Sequence, residues 1–328
     1  MQLRKLQEMG GATLLVSIPR EWAKTSSLRK GSLVSIEISG DGGLLIYPVR
    51  DRADERSEKE ITISYPSRFS NEGLPNEITA AYLLGYDLIR VRGPHRISAK
   101  DRERIISSIK RLIGLEVVEE DAQSITSQFL VDNTAVEPSK IFSRIGALVR
   151  AMIADTLEQF ASGEPLQFES ISERDDEVDR LHFLLVRLIR TAIRDSRAAS
   201  KFKLTAIDCL DYRVAASSLE TAGDYAIDLA QSLSKLRIVN DKLKEEVRSL
   251  AKVLDSIQDG ARRSFLGKDF TLARQVFANY ETLESLLNEM REEYAQSLPQ
   301  FLHVADTIER IGRAQRDIAD LVSPMSPA

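Results

Sequence analysis

One thirteen-residue stretch of this chain aligns without gaps on a second. Ser218 to Ala230 reads SLETAGDYAIDLA, and Thr307 to Ala319 reads TIERIGRAQRDIA, with Glu220 and Glu309 standing 89 positions apart. Without gaps, Leu219 falls on Ile308, Gly223 on Gly312, Asp228 on Asp317 and Ala230 on Ala319. A glycine and two acids that coincide inside amphipathic text specify more than shared hydrophobicity does, so an internally duplicated helical unit is indicated. Helical period extends around both copies. Six segments carry it, at 141–160, 172–197, 205–233, 241–265, 270–294 and 301–321, each of a length suited to a bundle. Breaks fall at ASGEP, SRAAS, LGKD and QSLPQ. The repeat divides the six into three plus three, and residues 138–323 are expected to form one six-helix domain.

Upstream the period changes. Residues 12–18, 33–38 and 44–49 alternate as half-buried strands do, Pro19 opens a short helix, and SGDGG separates the last two strands. A strand, a short helix and a β-hairpin within residues 1–50 are close to the lower limit for an independent core, so this domain is expected to dimerise. RDRADERSEKE, residues 50–60, is a dense charge run without apolar period and reads as a linker or a solvated first turn. Strands then alternate with helices: ITISY, a helix from Pro75 to Gly85, DLIRVRG, a helix from Ala99 to Gly114, and a hairpin of LEVVEE and SITSQFLV. That order predicts a small α+β domain over residues 59–132, with DNTAVEPSK as the boundary to the helices. The 328 residues thus give a multidomain, mainly α chain.

Charge is distributed unevenly. Seven bases (Arg4, Lys5, Arg20, Lys24, Arg29, Lys30, Arg50) face four acids (Glu8, Glu21, Glu37, Asp41) in the first fifty residues, although the whole chain has a formal net charge of -5. Arg4, Lys5, Arg20, Lys24, Arg29 and Lys30 are therefore candidate DNA contacts, with solvated surface charge as the plain alternative for each. Cys209 is the only cysteine, which excludes an intramolecular disulfide and a thiolate zinc site and fits a reducing, cytoplasmic compartment. The N-terminus lacks the apolar run of a signal peptide, and no stretch of about 18 apolar residues predicts membrane insertion. His95, His182 and His303 stand in unrelated contexts, and there is no GxSxG, Walker A or HExxH motif, so the expectation is a protein that is not an enzyme.

Carboxylates are the remaining chemistry. Asp175 and Asp179 in ERDDEVDRLHFLL are four apart, on a helical face continued by Val178, His182, Leu185 and Ile189. Glu220 and Asp224 repeat that spacing, on a face with Ala216, Gly223 and Ile227. Ionised carboxylates on core faces are costly, and a multivalent cation bridging them removes much of the cost, so Asp175, Asp179, Glu220 and Asp224 are candidate metal ligands. His182, one turn beyond Asp179, can add a nitrogen. The alternative is that the acids are solvated edge residues paired with Arg180, Arg187 or Arg213. The second half lacks an intact copy: Arg313 stands opposite Asp224, and Tyr280 or Asn279 opposite Asp175, depending on register.

These residues carry a resemblance. SLETAGDYAIDLA, its echo TIERIGRAQRDIA and DDEVD resemble the repeated Glu/Asp-xxx-Asp signatures of PhoU-type phosphate uptake regulators, over roughly the last 190 residues. The resemblance implies two three-helix bundles side by side with iron or zinc, or another divalent ion, on the first. The opening GATLLVSIPREWAKTSSLRKGSLVSIEISGDGGLLIYP resembles the SpoVT/AbrB-like domain, whose hairpins interleave in a DNA-binding homodimer. The whole arrangement is similar to archaeal phosphate uptake regulators. It implies a transcriptional regulator of phosphate uptake whose bundle senses or relays phosphate status. The alternatives are an adaptor that binds no DNA and contacts a phosphate transporter or sensor kinase, or a metal-sensing bundle.

Overall fold

The computed structural model describes residues 3–11, 13–38, 42–49, 59–67, 71–131, 136–236 and 240–322. They fall in two compact units, Met1–Glu58 and Lys59–Ala328. The charge run at 50–58, Ala12 at the expected first strand and residues 39–41 of the hairpin turn lie outside the described residues.

The first unit runs β1 (Gln7–Met9), β2 (Thr13–Leu15), α1 (Arg20–Thr25), β3 (Val34–Ile38) and β4 (Leu44–Pro48). β1 pairs antiparallel with β2, and β3 with β4, giving two separate two-stranded sheets. β1 is an addition to the expected layout, because three residues, QEM, are too short to display a period. Pro19 stands just before α1 and its carbonyl accepts from Ala23 N at 3.0 Å, while Gly31 takes φ +90° in the turn leading to β3, a region that favours glycine. Among the described residues of this unit none is buried. Leu14, Leu33, Ile36, Ile38 and Leu44 are all exposed, so the alternating faces of both hairpins meet no core in this chain. Isolated two-stranded sheets are marginal in water.

The second unit opens with a four-stranded sheet. Its elements are β5 (Glu60–Ser64), α2 (Leu74–Leu83), β6 (Leu88–Arg92), α3 (Ala99–Lys110), β7 (Leu115–Glu120) and β8 (Ser124–Phe129). The strand order is β5-β6-β8-β7; β5 and β6 are parallel, joined through α2, and the other two pairings are antiparallel. Alternate strand residues Ile89 and Val91, with Ile63 and Ile125, are buried together with Ile78 and Tyr82 of α2 and Ile105 and Ile109 of α3.

The helices follow as α4 (Pro138–Ser162), α5 (Phe168–Arg194), α6 (Ser196–Phe202), α7 (Ala206–Ser234), α8 (Asp241–Gly267), α9 (Phe270–Tyr294) and α10 (Phe301–Asp320). α4, α5 and α7 pack on one another, as do α8, α9 and α10, and the two bundles meet along α7–α10 and α4–α8. The two copies of the repeat, in α7 and α10, therefore lie against each other. Short α6 departs from the expectation that the second helix runs to 197 and breaks over SRAAS. Asp195 adopts an extended backbone (φ −123°, ψ 106°), ending α5, and its carboxylate accepts from Arg197 N at 3.0 Å, starting α6.

Arg187 of α5 ties the sheet to the bundle. Its side chain is fully buried. The guanidinium donates to the carbonyls of Tyr82 (2.7 Å) and Tyr86 (2.9 Å), pairs with Asp87 at 2.9 Å, and lies 3.9 Å from the centre of the Phe129 ring. The sheet and the helices thus share one buried cation.

Candidate metal centre and nucleic-acid interface

The 3.6-residue period of α5 and α7 places Asp175 and Asp179 on one helix against Glu220 and Asp224 on the next. Gly223 is what brings the helices together: a Cβ there would stand 3.3 Å from Asp175 Oδ1 and 3.4 Å from Val178 Cγ1. Asp175 Oδ1 is buried and makes no hydrogen bond. Burial, followed by the charges of Asp179, Asp224, Asp176 and Glu220, pushes the Asp175 carboxyl up to about 6. Burial also raises Asp179, Glu220 and Asp224, and in each the acids around it add to the effect. The four acids form an interacting set at the interface of the two helices.

Among the described residues, Asp179 is the one of the four acids held in an ion pair. Arg111, just beyond α3, reaches its Oδ2 at 3.0 Å. Of the cations offered by the sequence, Arg180 pairs with Glu177 and Arg187 with Asp87, while Arg213 makes no ion pair among the described residues but its charge acts on Glu220. His182 is buried, and burial followed by the charge of Arg213 lowers it to about 4, so the ring is neutral.

The second bundle shows the alternative solution to the same geometry. At Gly312 a Cβ would meet Leu283 Cδ2 at 2.6 Å and the Tyr280 ring at 3.3 Å, which selects Tyr280 over Asn279 as the counterpart of Asp175. In that register Glu284 answers Asp179, Glu309 answers Glu220 and Arg313 answers Asp224. Arg313 pairs with Glu309 at 2.7 Å and Arg291 pairs with the same carboxylate at 2.6 Å. Built-in arginines thus neutralise this half, where the first half leaves four carboxylates and one borrowed guanidinium.

The orphaned Asp175 oxygen and its three carboxylate neighbours, of which Asp179 is held by Arg111, make this the place in the first half where a bound divalent cation would offset charge. The fit is one of charge rather than of a closed ligand shell: among the described residues no three His, Cys, Asp or Glu side chains stand together as a group able to hold a metal ion.

The raised Asp175 carboxyl has a measurable consequence. A carboxyl titrating near 6 when folded and near 3.8 when unfolded supports folding fully below pH 4, and this contribution is lost as pH rises through 6. Discounted for the solvent that screens a half-exposed side chain, the loss is about 1 kcal/mol. In chelator-treated protein, Asp175→Asn is expected to be the more stable form at pH 7.5 by that amount and to match the parent at pH 4. Denaturant titrations at the two pH values check this; an equal difference at both would show that charge is not the cause.

In the first unit, Arg4, Lys5, Arg20, Lys24, Arg29 and Lys30 are all exposed. Arg20 and Lys24 are one turn apart on α1, Arg29 and Lys30 precede the turn into β3, and Arg4 and Lys5 precede β1. The unit thus offers cations to solvent from three places in its fold.

Fold and site together define a class: a strand-rich basic unit joined to a sheet and a duplicated pair of three-helix bundles whose first half is rich in acid. Residues 142–233 match the PhoU domain family, and residues 9–54 match the family of the antidote-toxin recognition protein MazE, a bacterial antitoxin. The chain is 26% identical over 147 residues to the phosphate-specific transport system accessory protein PhoU homolog of Zymomonas mobilis, an alignment covering 44% of this chain and 58% of that protein. The crystal structure of PhoU from Pseudomonas aeruginosa aligns with a TM-score of 0.43 at 18% identity, over 56% of this chain and 93% of that one. The chain is thus similar to PhoU domains over residues 142–233 and to the MazE antitoxin family over residues 9–54, and it spans a little over half the length of the Zymomonas relative.

Proposed function

We propose that this protein is a dimeric, DNA-binding regulator of phosphate uptake. One observation carries the reading: the first unit buries no described residue, exposes the apolar faces of both hairpins, and exposes its six candidate DNA-contacting cations as well. A second copy that covers the hairpins supplies the missing core and doubles the local positive charge. Residues 1–50 are then the DNA-binding and dimerisation module, 59–132 the connecting α+β module, and 138–323 the PhoU-like module that senses or relays phosphate status. A divalent, iron or zinc ion held by Asp175, Asp179, Glu220 and Asp224 would supply charge neutralisation at the α5–α7 interface, with neutral His182 as the fifth donor.

A second reading has its own support, since the Zymomonas relative is named an accessory protein of a phosphate-specific transport system. On that reading the bundle contacts a phosphate transporter or a sensor kinase, and no DNA is bound. Fluorescence anisotropy of the full chain with duplex DNA from upstream of its phosphate-uptake genes separates the two. With about six phosphates neutralised per dimer, affinity is expected to fall on the order of 1,000-fold between about 50 and 200 mM salt. No binding at low salt, or binding indifferent to salt, would overturn the regulator reading.

A further inference from the structure

An open cleft of about 760 Å³ lies along the α7–α10 seam, where the two copies of the repeat face each other. It is lined by three arginines in a chain that is acidic overall: Arg213 of α7, whose charge also acts on Glu220, and Arg310 and Arg313 of α10. All three are exposed. Among the described residues Arg213 makes no hydrogen bond or ion pair, and Arg310 contacts only the face of Tyr225, 5.9 Å from the ring centre. Arg313 is shared with Glu309, and the one acid in the lining, Asp317, is bound by Arg316 at 3.3 Å. Ser217 and Ser218 add hydroxyls that have no protein partner among the described residues.

Surface arginines on helices usually find carboxylates three or four residues away, as Arg262 and Arg263 do with Asp259. Arg213 and Arg310 find none, although they point into the same cleft. Planar guanidinium groups beside unused hydroxyls match a tetrahedral oxyanion, which accepts paired N–H bonds from arginine and further bonds from serine. The volume lies within the range of small-molecule sites.

We infer that the α7–α10 cleft binds a small phosphate-bearing anion, held by Arg213 and Arg310 with Ser217 and Ser218. This site is distinct from the DNA-binding unit and from the carboxylates at Asp175, although the charge of Arg213 also acts on Glu220. Inorganic phosphate and a phosphoanhydride share the recognised group, and the experiment tells them apart.

The test is isothermal titration calorimetry of chelator-treated full-length protein with orthophosphate, pyrophosphate and sulfate in turn. One site per chain is expected for orthophosphate or pyrophosphate, the tighter of the two naming the source, with sulfate weaker. The double variant Arg213→Ala, Arg310→Ala should bind on the order of 100-fold more weakly, since each loses a charge-assisted hydrogen bond. Ser217→Ala with Ser218→Ala should bind several-fold more weakly, and Arg263→Ala, on α8 and outside the cleft, should bind as the parent does. Circular dichroism confirms that each variant is folded. Absence of binding up to about 10 mM of either phosphate, unchanged affinity in the arginine double variant, or sulfate binding as tightly as phosphate would each overturn the assignment.

Discussion

Arg187→Ala should lower the stability of the second unit by about 3–5 kcal/mol, the cost of breaking a buried charge pair from one side. The magnitude follows from what the guanidinium touches. With the side chain fully buried, its removal leaves the carbonyls of Tyr82 and Tyr86 without their donor and Asp87 without its cation, and it vacates the space against Phe129. Burial depresses the guanidinium, while Tyr82 and Asp87 hold its charge. For a unit of this size the loss corresponds to a fall in Tm on the order of 10 °C. Arg187→Met fills the volume but still abandons both carbonyls, so it should recover less than half of the loss. Arg187→Lys should fall between, because an ammonium serves one acceptor well rather than three in a plane. Thermal and denaturant unfolding check the series; an alanine variant within 1 kcal/mol of the parent would show that the sheet and the bundle do not depend on this clasp.

Loading with metal should produce the other large effect. A cation present at about 1,000 times its dissociation constant stabilises the form that binds it by about 4 kcal/mol. Ferrous or zinc ion added to chelator-treated protein is therefore expected to raise Tm by on the order of 10 °C. In the variant carrying Asp175→Ala, Asp179→Ala, Glu220→Ala and Asp224→Ala the shift should vanish, together with the metal found by elemental analysis. The same four substitutions remove the mutual repulsion that raises these carboxyls, so the metal-free variant should be at least as stable as the metal-free parent. Arg111→Ala releases Asp179 and should tighten metal binding. Equal metal content in the parent and the fourfold variant would remove the centre from this face.

What could be read from the sequence was whatever repeats locally. A 3.6-residue period made α4, α5 and α7 to α10 legible, and four-residue spacing put each acid pair on one helical face. Matching Gly223 to Gly312 gave the three-plus-three division, and both glycines prove to be places where helices approach closely. What escaped was set by partners distant in sequence. Arg111 reaches Asp179 across 68 positions, and Arg187 reaches Asp87 across 100, so no window on either residue reveals its role. α6 escaped because a single capping aspartate, Asp195, separates it from α5 within an unbroken charged and apolar pattern. The choice between Tyr280 and Asn279 needed the packing of Gly312, since both fit the periodicity.

DNA binding by the proposed dimer depends on the exposed cations of the first unit. Its most direct measurement compares the full chain with the variant Arg20→Ala, Lys24→Ala, Arg29→Ala, Lys30→Ala in anisotropy titrations of one duplex at about 50 mM salt, with oligomeric state followed by light scattering. The expected result is that both proteins are dimers, and that the variant loses at least 100-fold in affinity and most of the salt dependence. A variant that binds DNA as the parent does, or a parent that stays monomeric, would contradict it.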